Sequence, residues 1–396
     1  MEDIVPNSET FCAVPFVNIR NSNNGEWGTF CDGIIGGTGL PTSDKLSNVW
    51  NSEFYKQLRL DAINGVKNPN CIQCWRNEST GNYSMRKSET ACFNVSDIMK
   101  RVNKDGTMKT SPEVLDIKLG NLCNAKCIMC CQLYSSQHEA EIKLWKKDNI
   151  EIPSALEYLE NTFARGQDYR IDDLNVDNFD ILDTVKLIRI AGGEPMINPK
   201  VKQLLNRIKN INVNLEIITN LSEIDFELIS KFPNLHITGS IDHVDPDKFK
   251  FIRFPLDYNQ CLSNFLKVTH TKEISFTCNI FNIFDLDKIF DEFATFNVPV
   301  SFNYALEPNY WSVRYLEPEQ KQQIIAMVQR MIDSKQPVVE QNPGVNRYMN
   351  SISKLLNSIP DDFDAVVKER TRVLKLYDAT RKTDYKSLFP FIKEYE

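Results

Sequence analysis

Six short apolar segments, each followed by a stretch of helical periodicity, fill the middle of this 396-residue chain. The strand-like segments are VLDIKLG (114–120), VKLIRIAGG (185–193), VNLEIIT (213–219), LHITGSID (235–242), EISFTCNI (273–280) and VPVSFNYA (298–305). Helical patterns occupy 131–147, 199–210, 223–231, 258–269, 284–295 and 318–335. Strands separated by helices pair in parallel, and the helices cover the sheet. Six units are too few to close an eight-stranded barrel. The pattern therefore predicts an α/β fold, a partial TIM-like (β/α)6 barrel of parallel strands over 111–335. Functional residues are then expected at the C-terminal ends of the strands.

Two regions flank that core. Residues 1–110 read as a loop-rich, cysteine-containing domain with one helix near 46–64. Residues 336–396 read as a polar helical extension, and an irregular acidic insertion covers 149–183.

The chain has eleven cysteines but only four histidines, so any metal chemistry should be thiolate chemistry, with iron–sulfur clusters or zinc as the choices. Cys123, Cys127 and Cys130 follow the first core strand with C-x3-C-x2-C spacing. Four cysteines saturate a 4Fe–4S cluster, so three leave one iron open. An open position marks a catalytic metal rather than a structural one. Cys131 reads as a bystander pointing into the start of the next helix. A zinc site or plain buried thiols are the alternatives for the same spacing. In the N-terminal region, Cys12 and Cys31 precede the pair Cys71 and Cys74, a set that suits a second 4Fe–4S cluster or a four-thiolate zinc site. Cys261 and Cys278 sit in apolar patterns and read as core.

Other strand ends carry polar groups suited to a ligand. Gly192 and Gly193 let the backbone approach one closely, and Glu194 can accept hydrogen bonds from an ammonium group. Asn220 ends the third strand, Ser240 and Asp242 the fourth, and Asn279 the fifth. Hydroxyl, amide and carboxylate groups there suit ribose hydroxyls, and they equally suit turn caps. Arg253, in FKFIRFP, offers a fork for a carboxylate or is a solvated surface residue.

The segment LGNLCNAKCIMCC resembles the signature loop of the radical S-adenosylmethionine superfamily, and AGGEP and GSID follow on later strands in that family's order. The resemblance spans roughly 113–335. It implies that Cys123, Cys127 and Cys130 hold a 4Fe–4S cluster whose open iron binds S-adenosylmethionine. It further implies that Gly192, Gly193 and Glu194 receive the methionine amino group and that Ser240 and Asp242 contact the ribose. Arg253 is implied to meet the cofactor carboxylate, while Met129, Asn220 and Asn279 lie by the adenosine. Met129 replaces the aromatic residue common in the family, a change that a backbone contact tolerates. The implied reaction is reductive cleavage of S-adenosylmethionine to a 5′-deoxyadenosyl radical, which takes a hydrogen atom from a substrate; such enzymes are oxygen-sensitive. The stretch KNPNCIQCWRN with its upstream cysteines is similar to SPASM and twitch domains. These hold auxiliary clusters and usually follow the core rather than precede it. Their presence implies a peptide or protein substrate, with a sugar, nucleotide or amino acid as the alternative.

Composition narrows the remaining classes. Apolar residues make up 42% and charged residues 25%, and the net charge is −7. An acidic balance without a basic stripe argues against a zinc module that binds nucleic acid. A non-catalytic iron–sulfur carrier or redox sensor would not need AGGEP or GSID. The N-terminus MEDIVPNSET has no secretory pattern and no run is apolar enough to span a membrane, so a cytoplasmic protein is expected. Its partners are then an electron donor such as flavodoxin or ferredoxin, and the substrate.

Overall fold

The computed structural model describes residues 6–21, 27–28, 45–79, 84–157, 176–357 and 360–395. Two compact units divide the chain. The first comprises Met1–Asn121, Gln167–Ile217 and Glu227–Leu235; the second comprises Leu122–Gly166, Ile218–Phe226 and His236–Glu396.

In the first unit, β1 (Asn18–Asn21) pairs antiparallel with β2 (Trp27–Gly28) and parallel with β3 (Val114–Lys118). β3 pairs in parallel with β4 (Leu187–Ala191), and β4 with the start of β5 (Asn214–Thr219). In the second unit, β6 (Leu235–Ser240), β7 (Thr271–Cys278) and β8 (Val300–Tyr304) pair in parallel in chain order. All six expected strands are present, and each ladder among them is parallel. The α/β architecture read from the sequence is the one observed.

The elements form for local reasons. Asn198 caps the helix Pro199–Arg207 by accepting from Lys200 N at 2.9 Å, and Pro199 fills the first turn, where no N–H is needed. That helix buries Val201, Leu204 and Leu205, one face at i, i+3 and i+4 spacing. Asp257 caps Tyr258–Lys267, and Glu317 with Gln320 forms a reciprocal capping box at Pro318–Asp333. Leu286–Phe296 stops at Asn297, whose φ of +51° is left-handed. Cys261 and Cys278 are buried, as their apolar surroundings predict.

Several sequence expectations need correction. The helix expected over 46–64 breaks into Leu46–Trp50 and Glu53–Ile63, because the Ser52 side chain caps the second piece through Tyr55 N. The helix expected from 131 starts at Ser136, so Cys131 lies in the preceding turn rather than in the helix. The helix near 223–231 is a single turn, Phe226–Ile229. β1 went unforeseen. Its strand is short, and three of its four residues are polar yet buried. Asn21 explains how the sheet accepts them: its amide donates to Lys118 O at 2.6 Å and accepts from Lys118 N at 2.7 Å. Residues 158–175 of the acidic insertion lie outside the described residues. Among those that are described, no helix is long and apolar enough to cross a membrane.

Arg59 organises the interior of the first unit. It is fully buried, lies 4.3 Å from the Trp50 ring, and donates to Pro15 O at 2.8 Å, Trp50 O at 2.7 Å and Gly106 O at 3.1 Å. These carbonyls belong to two short helices, Val14–Val17 and Leu46–Trp50, and to the turn at Gly106, and no other residue type offers five donors in a planar fork. Arg59→Met strands them. The expected loss is about 3 kcal/mol of unfolding free energy, read as a lower urea midpoint; an unchanged midpoint would refute this account.

Candidate functional site

The cysteine loop follows β3 and belongs to the second unit. It has no regular secondary structure, so its peptide groups need partners from elsewhere. Lys126 N donates to Phe254 O at 2.6 Å, and Ile128 N to Ile252 O at 2.9 Å. The Ser136 hydroxyl donates to Cys123 O at 3.2 Å and accepts from Cys123 N at 3.1 Å, while the Ser135 hydroxyl donates to Ala125 O at 2.6 Å. His138 is fully buried, with Nε2 2.9 Å from Cys127 O. A carbonyl only accepts, so Nε2 carries the proton. Burial, and then the nearby Arg381 charge, lowers the His138 pKa to about 4 and keeps the ring neutral.

Cys123 and Cys127 are buried and Cys130 is half-buried. Burial, and then the neighbouring cysteines 131, 127 and 123, pushes the Cys130 thiol well above its ordinary value. Burial also raises Cys127, against the opposing pull of Arg253 and Arg381. Two sulfurs already have donors nearby: Ala125 N lies 3.4 Å from Cys123 Sγ, and Arg253 Nη1 lies 3.9 Å from Cys127 Sγ. Hydrogen bonds to sulfur are among the groups that set an iron–sulfur potential.

The second unit brings most of the sequence candidates close to this loop. Asn220 donates to Asn124 Oδ1 at 2.9 Å and accepts from Ser222 N at 2.9 Å, and Asn124 in turn donates to the Ser222 hydroxyl at 2.9 Å. Through these amides the loop is tied to the end of β5. Arg253, 8% exposed, lies between Cys127 and Asp242, whose Oδ2 is 2.6 Å from Arg253 Nε. Burial opposes the Arg253 charge, but Asp242 and Cys127 outweigh it and hold the guanidinium above its ordinary value. Asp242 is fully buried and its Oδ1 accepts from Thr277 N at 2.7 Å. Ser240 is buried at the end of β6, and Met129 is half-buried in the loop. Asn279 is committed within its own turn, accepting from Phe281 N at 2.9 Å and donating to Thr277 O at 3.0 Å.

The glycine motif lies in the first unit. Gly192 and Gly193 have φ of +85° and +57°. A Cβ on Gly192 would stand 3.0 Å from Lys118 Cβ, so any side chain there is both strained and crowded. Glu194 is fully buried and accepts from Met196 N at 3.0 Å, which caps the short turn Pro195–Ile197.

The first unit also gathers three of the N-terminal cysteines. Cys12, Cys71 and Cys74 line one small pocket, with about 30 Å³ of room for water, together with Trp75 and Arg86. Burial raises the Cys12 thiol to about 12 and the Cys71 thiol to about 11, and the neighbouring cysteines add to both shifts. Cys31 lies outside the described residues. Among those described, no three His, Cys, Asp or Glu side chains are grouped so as to hold a metal ion.

Sequence reasoning missed Asn124, Ser222, His138 and Arg381. Nothing in their local patterns marks them, since their partners lie from 11 to 255 residues away. No family model and no curated protein matches the chain. Among solved structures it is similar to anSMEcpe with bound AdoMet, at 19% identity and TM-score 0.35, over 54% of this chain and 56% of that one. It is also similar to Streptococcus suis SuiB bound to S-adenosylmethionine, at 15% identity and TM-score 0.37, over 72% and 60%. A third is Streptococcus suis SuiB bound to precursor peptide SuiA, at 13% identity and TM-score 0.36, over 80% and 70%. The chain thus spans little more than half the length of the first two.

The Arg253–Asp242 pair generates a prediction. Asp242→Asn leaves a buried guanidinium without its counter-charge and should cost about 3–5 kcal/mol. Adding Arg253→Met removes the stranded charge and should restore much of that loss. Urea unfolding of the metal-free, reduced protein measures both; simple additivity of the two substitutions would show that the charges are uncoupled.

Proposed function

We propose that this chain is a radical S-adenosylmethionine enzyme that takes a hydrogen atom from a peptide or protein. The observation that carries the reading is the loop after β3. It holds Cys123, Cys127 and Cys130 on eight consecutive residues and keeps a guanidinium 3.9 Å from one sulfur. The donor set fits a 4Fe–4S cluster, because three thiolates on one short loop satisfy three irons and leave the fourth open. When bound, that cluster supplies the electron that cleaves S-adenosylmethionine to methionine and the 5′-deoxyadenosyl radical.

The chain's own residues do the rest. Glu194 receives the amino group of S-adenosylmethionine, and Gly192 and Gly193 give it room. Arg253, fixed by Asp242, presents positive charge to the carboxylate side of the cofactor. Asn220, Ser240 and the backbone at Met129 border the nucleoside, and Asn279 shapes the turn beside it. Residues 1–110 form a twitch-like domain in which Cys12, Cys31, Cys71 and Cys74 hold an auxiliary 4Fe–4S cluster. The pocket shared by three of these cysteines supports that reading. The electron comes from a flavodoxin or ferredoxin in the cytoplasm. The peptide or protein substrate follows from the resemblance of the N-terminal segment to SPASM and twitch domains.

Two measurements test this proposal. Anaerobically reconstituted protein, given dithionite and S-adenosylmethionine, should form 5′-deoxyadenosine, and Cys127→Ala should abolish it. With a deuterated extract split by size, deuterium should enter 5′-deoxyadenosine only with the macromolecular fraction. Transfer only from the small-molecule fraction would replace the peptide substrate by a metabolite, and no 5′-deoxyadenosine from a cluster-loaded protein would end the proposal. Separately, replacing Cys123, Cys127 and Cys130 together by Ala should leave about four irons per chain, one cluster's worth. One zinc and no iron in that variant would remove the auxiliary cluster.

A further inference from the structure

The C-terminal helix Phe363–Arg381 ends against the cysteine loop. Its last residue, Arg381, has a side chain only 2% exposed. The guanidinium forks onto Glu141, with Nη2 2.7 Å from Oε2 and Nε 3.1 Å from Oε1. Its remaining nitrogen, Nη1, donates to the backbone carbonyl of Lys126 at 3.1 Å, one residue before Cys127. Lys126 Nζ closes the arrangement on Glu141 Oε1 at 2.8 Å. The Tyr377 ring lies 3.6 Å from the guanidinium carbon and Phe254 lies 5.6 Å from it. Tyr377 also faces Trp145, on the helix Ser136–Lys147 that carries Glu141. All these residues belong to the second unit.

We propose that Arg381 is a positioning residue for the cluster loop, and that the C-terminal extension is therefore part of the cofactor site. The proposal rests on the reading of Cys123, Cys127 and Cys130 as cluster ligands. A loop without secondary structure keeps its shape only while its carbonyls have fixed donors. Arg381 is the one donor to the Lys126 carbonyl seen among the described residues. The fork on Glu141 fixes the angle from which it donates. Among the described residues, Arg381 makes no hydrogen bond to a cysteine sulfur; its direct contact with the loop is through the Lys126 backbone carbonyl.

The test uses the full chain and two readouts. In metal-free protein, the rate of iodoacetamide labelling at each cysteine is mapped by mass spectrometry. A lost hydrogen bond from a charged donor shifts a local opening equilibrium by about tenfold or more. Arg381→Met should therefore label about tenfold faster at Cys123, Cys127 and Cys130, with Cys12 and Cys71 unchanged. Arg381→Lys keeps the charge but cannot reach both Glu141 and the Lys126 carbonyl, so it should fall between wild type and Arg381→Met; it also stands in if Arg381→Met misfolds. In reconstituted protein, the same variants should lose loop-cluster iron to a chelator faster than wild type and change the electron paramagnetic resonance signal of the reduced cluster. Unchanged labelling at the loop, or an equal rise at every cysteine, would overturn the proposal. Wild-type protein that never takes up iron would end the enzymatic reading, while the labelling pattern would still decide whether Arg381 holds the loop.

Discussion

The structure depends on holding in one shape a loop that has no secondary structure of its own. The stretch that carries Cys123, Cys127 and Cys130 is irregular, and irregular backbone leaves peptide groups that need partners from elsewhere. The second unit answers this one group at a time. Carbonyls at Ile252 and Phe254 accept from loop N–H groups, Ser135 and Ser136 bond to the peptide groups at Ala125 and Cys123, and His138 and Arg381 cover the carbonyls of Cys127 and Lys126. The helix Ser136–Lys147 thereby does two jobs. Its N-cap serine bonds the helix's own N–H groups and also Ala125 O, and its inner face supplies His138, Glu141 and Trp145.

Three buried guanidinium groups show how differently one charge can be accommodated. Arg59 is surrounded by carbonyl oxygens and aromatic faces, and it joins two short helices and a turn. Arg381 is matched by a carboxylate and by Tyr377, and it spends its last donor on the cysteine loop. Arg253 is matched by Asp242 and keeps a nitrogen turned to a sulfur. Of the three, only Arg253 has a nitrogen within reach of a cysteine sulfur, 3.9 Å from Cys127 Sγ. A buried ion pair is weak evidence for stability by itself.

The alternation of strands and helices was legible because it depends on local periodicity, and all six strands lie within a few residues of their expected bounds. The cysteine loop stands out in the sequence for a similar reason, since its three cysteines fall within eight residues. Legibility failed where a residue's role is set by a distant partner. β1 has polar residues at buried positions, and only the Lys118 backbone, 97 residues away, explains why Asn21 is tolerated there. Arg381 sits in a polar helix that carries no motif, and its acceptors are 240 and 255 residues away. The helix break at Ser52 lies between these cases. Its capping signal is local, but the apolar pattern runs straight through it, so periodicity masked it.

Asp242 shows how geometry refines a motif. In the sequence it ends a strand within GSID, and a carboxylate there suits ribose hydroxyls. In the structure one of its oxygens accepts from Thr277 N and the other faces Arg253 at 2.6 Å. A ribose would have to compete with a guanidinium for that oxygen, and the charged partner offers the stronger hydrogen bond. Ser240, two residues earlier and without such an ion pair, is the better placed of the two to meet a sugar hydroxyl. Asp242 then acts one step back, by fixing the direction of the Arg253 fork. Under the proposed function, removing Asp242 would disturb the carboxylate side of the cofactor before the ribose.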